Sequence, residues 1–127
     1  MTPETFSEIR QSFRDYDMRI IMEGGEPGLL PRPLMAQIVA AVADAYKVPW
    51  HKIIGRQRAA YYVEPRHVAM HLCRKMTGYS LPRIGRLFER DHTTVMHACQ
   101  RVAERMEAED DFAARVLEIA AACRRAG

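Results

Sequence analysis

The apolar residues of this 127-residue chain recur at helical spacing, and no segment alternates with the period of a β-strand. Side chains three and four residues apart lie on one face of a helix, so such stripes predict amphipathic helices that pack against one another. No internal repeat or low-complexity tract interrupts the pattern. The sequence therefore predicts an all-α, multi-helical fold.

The first stripe lies near the start of the chain and consists of five large residues with 3-4-3-4 spacing: Phe6, Ile9, Phe13, Tyr16 and Ile20. Gly24 and Gly25 end this predicted helix, and a Pro/Gly-rich linker follows it. We expect residues 1–33 to form the helix and linker and residues 34–127 to form the main domain. The helix either packs on its own domain or contacts a second copy of the chain or another protein.

The next stripes predict the helices of the main domain. In chain order they are a helix from residue 34 to about 47, a single turn over residues 50–54, and a long helix opened by Glu64-Pro65 and ended by Thr77-Gly78. A last helix follows a polar break over residues 107–111. Between the single turn and the long helix, a loop over residues 55–60 exposes Arg56 and Arg58.

Two helices with a short connection lie between the long helix and the last one. Ser80 is a suitable N-cap and Pro82 suits the first turn of a short helix that reaches Phe88. Only about three residues, Glu89 to Asp91, connect it to a second helix, for which Asp91 is a suitable N-cap. The buried stripe of this second helix begins only at Val95, so its first turn is polar. The arrangement predicts a helix-turn-helix whose second helix directs these side chains outward: His92, Thr93, Thr94, His97, Gln100 and Arg101.

Charge is distributed unevenly along the chain. The overall net charge is only +3, but residues 47–107 carry twelve basic and five acidic residues, whereas residues 1–46 carry four and seven. The basic excess coincides with the helix-turn-helix and favours a polyanionic partner such as nucleic acid. A basic face that is merely solvated is the alternative.

Other classes of function find little support in the sequence. No apolar run is long enough to span a membrane and the N-terminus does not resemble a signal peptide, so we expect a cytoplasmic protein. The three cysteines, Cys73, Cys99 and Cys123, are expected to be reduced core thiols. His67 and His71 have the i, i+4 spacing of zinc ligands but lack a third ligand, so we expect no metal, no cofactor and no enzymatic activity.

The residues from about Leu34 to Met106 resemble the C-terminal DNA-binding domain, domain IV, of DnaA, the bacterial chromosomal replication initiator. The resemblance is carried by the runs Ser80-Leu81-Pro82-Arg83-Ile84-Gly85 and Arg90-Asp91-His92-Thr93-Thr94-Val95-Met96-His97-Ala98, with support from the basic loop at 53–58 and from Pro65-Arg66-His67. It implies a helix-turn-helix fold of the Trp-repressor-like type that binds double-stranded DNA at DnaA-box-like sites. No glycine-rich phosphate loop occurs, so we expect no nucleotide partner and interpret the chain as a freestanding relative.

The resemblance also implies a role for individual residues. Base contacts would come from Arg58 in the minor groove and from the start of the second helix in the major groove, namely Asp91, His92, Thr93 and Thr94. Phosphate contacts would come from Arg66, His67, the backbone of Leu81 and Pro82, Arg90, His97 and Arg101. These residue types suit those roles, because Asp can accept from a cytosine amino group and Arg suits a narrow, electronegative minor groove.

Two acidic residues depart from the family pattern. Glu89 alone stands in the turn where the family usually has two glycines, so the turn is one residue shorter. Glu64 stands where a basic residue is common. Both favour the alternative function, a protein-protein interaction module that keeps the fold and modulates the initiator or another partner. The principal prediction is a DNA-binding regulator or accessory factor of replication initiation or transcription, which acts as a homodimer or docks a partner through its N-terminal helix.

Overall fold

The computed structural model describes residues 34–56 and 59–126, and the predicted N-terminal helix and linker lie outside these ranges. The described part contains six helices and no strand, so the prediction of an all-α fold is confirmed. The helices are α1 (Met35–Tyr46), α2 (Trp50–Ile54), α3 (Ala60–Thr77), α4 (Leu81–Phe88), α5 (His92–Ala108) and α6 (Asp110–Ala126).

The central helix is α3, which packs against α1 on one side and α5 on another. Its residues Val68, Ala69, Met70 and Cys73 have no exposed surface, and Leu72 is almost as deeply buried. α4 packs on α5, and α6 covers both α1 and α5. Each fully buried Val, Leu or Met side chain contributes about 1.5 to 3 kcal/mol relative to an exposed one, so this core fixes how the helices are placed.

The start of α3 differs from the sequence prediction. The helix begins at Ala60 rather than at Glu64-Pro65, so Pro65 lies in its second turn. A proline there removes one backbone hydrogen bond and disfavours helical backbone at the preceding residue. Tertiary contacts oppose this preference, because Pro65 is buried and the Glu64 carboxylate accepts a hydrogen bond from the Tyr46 hydroxyl at 2.7 Å.

The predicted break over residues 107–111 is also wrong in extent. Only Glu109, with extended backbone, separates α5 from α6. Its amide donates to the carbonyl of Arg105 at 2.8 Å, and its carboxylate accepts from Arg105 Nε at 3.0 Å. The polar residues on either side therefore belong to helices, because this pair of bonds completes the end of α5 within a single residue.

Candidate nucleic-acid interface

The helix-turn-helix consists of α4 and α5, joined by the three predicted residues, Glu89 to Asp91. Ser80 caps α4, because its Oγ accepts a hydrogen bond from the Arg83 amide at 3.3 Å. Ile84, Leu87 and Phe88 bury one face of α4 in the core. The prediction of a capped short helix followed at once by a second helix is thus confirmed.

The turn between these helices depends on a left-handed residue and a close backbone approach. Glu89 has φ of 54°, and the amides of Glu89 and Arg90 donate to the carbonyls of Arg86 and Gly85, at 3.4 and 2.8 Å. This pair of bonds is the Schellman motif, in which glycine usually holds the left-handed position. Gly85 lies so close beneath the turn that a Cβ there would be 2.4 Å from the Arg90 carbonyl oxygen.

Asp91 positions the first turn of α5. Its Oδ1 accepts from the Thr94 amide at 2.8 Å, which makes it the N-cap, as predicted. Hydrogen bonds from Thr94 lower the pKa of the Asp91 carboxyl below its ordinary value, so it carries a negative charge at neutral pH. Asp91, His92, Thr93 and Thr94 are all exposed, whereas Val95 is fully buried.

The exposed side of α5 continues through His97 and Arg101, one turn apart. Across the α3–α5 contact lies the half-buried His67, which lines a cleft of about 390 Å³ together with Arg101, Val102 and Phe112. Burial lowers the pKa of His67, and the positive charges of Arg101 and Arg66 lower it further. The structure thus places His67 beside Arg101, two of the residues for which the sequence predicts phosphate contacts, and His97 lies one turn before Arg101 on α5.

Two other predicted phosphate contacts face the protein itself. Arg66 is buried, and its Nε and Nη2 donate to the carbonyls of Ile53 and Lys52 at 2.7 and 2.8 Å. Arg90 is half-buried, and its Nη1 donates to the Phe88 carbonyl at 2.8 Å. Arg66 therefore ties α2 to α3, and Arg90 supports the end of α4. Their roles toward DNA remain predictions.

The predicted backbone contacts lie at the start of α4, where Leu81 is half-buried and Pro82 is exposed. The first amides of a helix have no carbonyl partner within that helix. Here Ser80 accepts from the Arg83 amide, and proline has no amide hydrogen. The Leu81 amide is therefore the donor that a phosphate at this helix end would meet.

Arg58, the predicted minor-groove residue, lies outside the described residues. Its neighbour along the chain, Arg56, is exposed after the end of α2. The loop meets α3 at Ala59, and Ala59 and the first two residues of α3, Ala60 and Tyr61, are exposed. A contact of this loop with the minor groove therefore remains a prediction.

The structure also reveals a network that sequence reasoning missed. Glu64 accepts hydrogen bonds from Tyr46 on α1 and Arg105 on α5, and Arg105 also pairs with Glu109. Burial opposes the charge on Glu64, but the bonds from Arg105 and Tyr46 outweigh burial and lower its pKa. The acid at position 64 is therefore paired within the fold. Because Glu64 and Arg105 are 41 residues apart, no local sequence signal indicates this pair.

Other chemistry has little basis in the described part of the chain. The three cysteines are free, and burial raises the pKa of Cys73 well above its ordinary value, which makes it a poor nucleophile. Residues 34–56 and 59–126 contain no group of three or more side chains arranged to hold a metal ion. None of the helices described is both long and apolar enough to cross a membrane.

Comparison with known proteins agrees with this geometry. Residues 35–102 match the family described as the bacterial dnaA protein helix-turn-helix. The chain is 49% identical over 69 residues to the chromosomal replication initiator protein DnaA of Ruegeria pomeroyi. This match covers 54% of this chain and 15% of the relative. It is 45% identical over 84 residues to the chromosomal replication initiator protein DnaA of Roseobacter denitrificans. This match covers 65% of this chain and 18% of the relative.

A third initiator, from Acinetobacter baumannii, is 42% identical over 76 residues, covering 59% of this chain and 16% of the relative. The chain thus spans less than a fifth of the length of these curated relatives. The matched region contains α1 to α4 and most of the exposed face of α5. This chain therefore belongs to the family of bacterial DnaA helix-turn-helix domains, which are DNA-binding domains.

Proposed function

We propose that this protein binds double-stranded DNA at DnaA-box-like sites and acts in the cytoplasm as a regulator or accessory factor of replication initiation or transcription. The observation that carries the proposal is the first turn of α5. Asp91, His92, Thr93 and Thr94 are exposed and polar there, while burial begins one residue later at Val95. Capping accounts for Asp91, but a packed fold alone gives no reason for His92, Thr93 and Thr94 beside it.

The chemistry of that turn suits direct contact with base edges. A helix that enters the major groove with its N-terminal end places its first residues against the bases. The carboxylate of Asp91 can accept from a cytosine amino group, and the methyl groups of Thr93 and Thr94 can pack against thymine methyls. Hydrogen bonds from Thr94 keep the Asp91 carboxyl ionised and hold it at the start of the helix, which suits such a contact.

The surrounding charges suit the DNA backbone. His67 and Arg101 lie beside each other at the α3–α5 contact, His97 is exposed one turn earlier on α5, and the basic loop with Arg56 and Arg58 precedes α3. Contacts of this type to phosphates fix the position of a protein on DNA, while base contacts select the sequence. The low pKa of His67 leaves it neutral in the free protein, so a phosphate nearby would favour its protonation.

The alternative function, a protein-protein module, rested on two acids near the interface. Glu64 is paired with Tyr46 and Arg105, so its charge is compensated within the fold. Glu89 is exposed in the turn and remains the feature that favours the alternative. We therefore place DNA binding first.

The test is a titration of a labelled box duplex and a scrambled duplex at two salt concentrations. His92→Ala and Arg58→Ala should cost roughly 1 to 3 kcal/mol, about 5- to 150-fold in affinity, on the box duplex alone. Arg101→Ala should weaken both duplexes and reduce the salt slope by about one unit. Arg124→Ala, an exposed arginine on α6, is the matched control and should change neither.

Equal affinity of the unmodified protein for the two duplexes would refute sequence-specific binding. Loss of affinity in the Arg124 variant as large as in the Arg101 variant would indicate that binding depends only on overall charge. Binding to neither duplex at low salt would favour the protein-protein alternative.

A further inference from the structure

A groove of about 450 Å³ lies between α1 and α6, apart from the helix-turn-helix. Its apolar lining comes from Ala41 and Ala45 on α1 and from Ile119 and Ala122 on α6. Three of these four residues are alanines, so the groove has room for large side chains from another element. Small residues at a helix contact allow a neighbouring helix to approach closely, as in ridge-and-groove packing.

The direction of α6 along α1 follows from the contacts of Arg115. Near the start of α6, Arg115 donates to the carbonyl of Ala45 at 3.2 Å, and its guanidinium lies 4.1 Å from the ring centroid of Tyr46. Both partners are at the end of α1. The groove extends from these contacts to Ala41 on α1 and to Ala122 and Arg125 on α6, so α6 runs back along α1 toward its start.

The sequence supplies an occupant whose position along the chain fits this groove. Residues 2–22, outside the described part, carry the stripe of five large apolar side chains and are predicted to form an amphipathic helix about 30 Å long. Eleven residues, 23–33, connect it to the start of α1 and can span at most about 40 Å. A helix parallel to α6 ends beside the start of α1, so the linker only has to turn back. In the opposite direction the linker would have to follow the whole helix, which needs about three quarters of its maximum length.

Charge favours the same direction. Glu118 and Arg125 lie seven residues apart along the α6 edge of the groove. Arg10 and Asp17 are also seven residues apart, and helical geometry places both on one flank of the apolar stripe. With this flank turned toward α6, a parallel arrangement sets Arg10 against Glu118 and Asp17 against Arg125. Reversal of the helix would turn the same flank toward α1, away from both of these charges.

From these observations we propose that the N-terminal apolar stripe of the same chain docks in the groove between α1 and α6, parallel to α6. The segment thereby completes the core of its own domain. This inference does not depend on DNA binding, because the groove lies outside the surface assigned to DNA.

Cysteine pairs in the full chain test the position and direction of the segment. Asp17→Cys with Arg125→Cys should form an intramolecular disulfide under mild oxidation, seen as a faster monomer band and a linked peptide by mass spectrometry. A background of Cys99→Ser removes the half-buried native thiol. The matched control pairs Asp17→Cys with Leu117→Cys, because Leu117 is 61% exposed on α6 away from the groove. The control pair should link at least tenfold more slowly.

A pair with Arg10→Cys and Arg125→Cys tests the direction and should also link slowly. A disulfide between two chains in the first pair would show that the segment serves a second copy, and the proposal would fail. Linking of the control pair at an equal rate, or no linking in any pair, would overturn it as well.

Hydrogen exchange gives a second measurement on the full chain without cysteines added. Amides of residues 6–20 should exchange at least tenfold faster in Ala122→Asp, which places a charge in the groove, than in the unmodified protein. Leu117→Asp is the matched control and should leave their exchange unchanged. The proposal is wrong if Ala122→Asp has no effect while the remaining helices stay protected.

Discussion

The turn of the helix-turn-helix permits a prediction that separates backbone strain from charge. Glu89 holds φ of 54° and ψ of 42°, a left-handed conformation that glycine adopts readily and other residues adopt at a cost. Lys47, at the end of α1, has φ of 56°, and these are the non-glycine residues with positive φ among those described. Glu89→Gly should therefore stabilise the protein and also remove a negative charge beside Asp91.

The expected magnitude follows from two opposing effects. A left-handed conformation costs a residue with a Cβ about 1 to 2 kcal/mol. Glycine gives back about 0.5 to 1 kcal/mol of this because it has more conformational freedom in the unfolded chain. The Schellman bonds of Glu89 and Arg90 use only backbone atoms, so they are retained. We expect a net gain of about 0.5 to 1 kcal/mol, or roughly 4 °C in Tm for a domain of this size.

The assay combines urea unfolding with titration of the box duplex. Glu89→Gln removes the charge but keeps the strain, so it should leave the free energy of unfolding nearly unchanged. Both variants should bind DNA about threefold more tightly at low salt, because they lose a negative charge near the phosphates and salt screens that charge least under these conditions. Lys47→Gly should gain as much stability as Glu89→Gly without any gain in affinity.

The reasoning would be refuted if Glu89→Gly were no more stable than Glu89→Gln. In that case the left-handed turn carries no strain that glycine relieves. A gain in DNA affinity for Glu89→Gly alone would show that the shape of the turn, rather than its charge, controls binding.

Two further predictions concern the core. Gly85→Ala should destabilise the domain by about 3 kcal/mol in urea unfolding, because its Cβ would lie 2.4 Å from the Arg90 carbonyl oxygen. Gly78 is the control, because its φ is 74° but a Cβ added there would have no atom within 4 Å, so Gly78→Ala should cost only about 1 kcal/mol. Equal losses of unfolding free energy in the two variants would contradict the steric argument. His71 is buried with no hydrogen-bond partner at Nδ1, and burial lowers its pKa below 6.5. The stability that neutral His71 contributes is therefore present above pH 6.5 and is lost as the pH falls through the lowered pKa. His71→Leu should therefore lose less unfolding free energy between pH 7 and pH 5 than the unmodified protein. An identical loss would be inconsistent with this assignment.

Much of the fold could be predicted because helical periodicity is a local property. The spacing of Leu72 and Cys73 with Val68 and Ala69 predicts a buried stripe, and all four are buried in α3. Capping is also local, since Ser80 and Asp91 bond to amides only three residues away. The prediction of the start of α3 was wrong because it relied on the local preference of Pro65 alone.

The exposure of the first residues of α5 could be predicted, whereas the orientation of Arg66 could not. Asp91, His92, Thr93 and Thr94 lie on the surface, as the late start of the apolar stripe indicates. The inward position of Arg66 could not be foreseen, because its partners are the carbonyls of Ile53 and Lys52 across a helix contact. An arginine has the same sequence letter whether it bonds to a phosphate or to its own backbone.

The helical class, the helix-turn-helix and the exposed first turn of α5 could all be predicted, because these features depend on residues within one or two turns of each other. The use of the charges depends on tertiary packing. Packing pairs Glu64 with Tyr46 and Arg105, which are 18 and 41 residues distant, and it places His67 beside Arg101. Which charges remain for DNA is therefore a property of helix packing, since packing alone brings distant side chains within bonding distance.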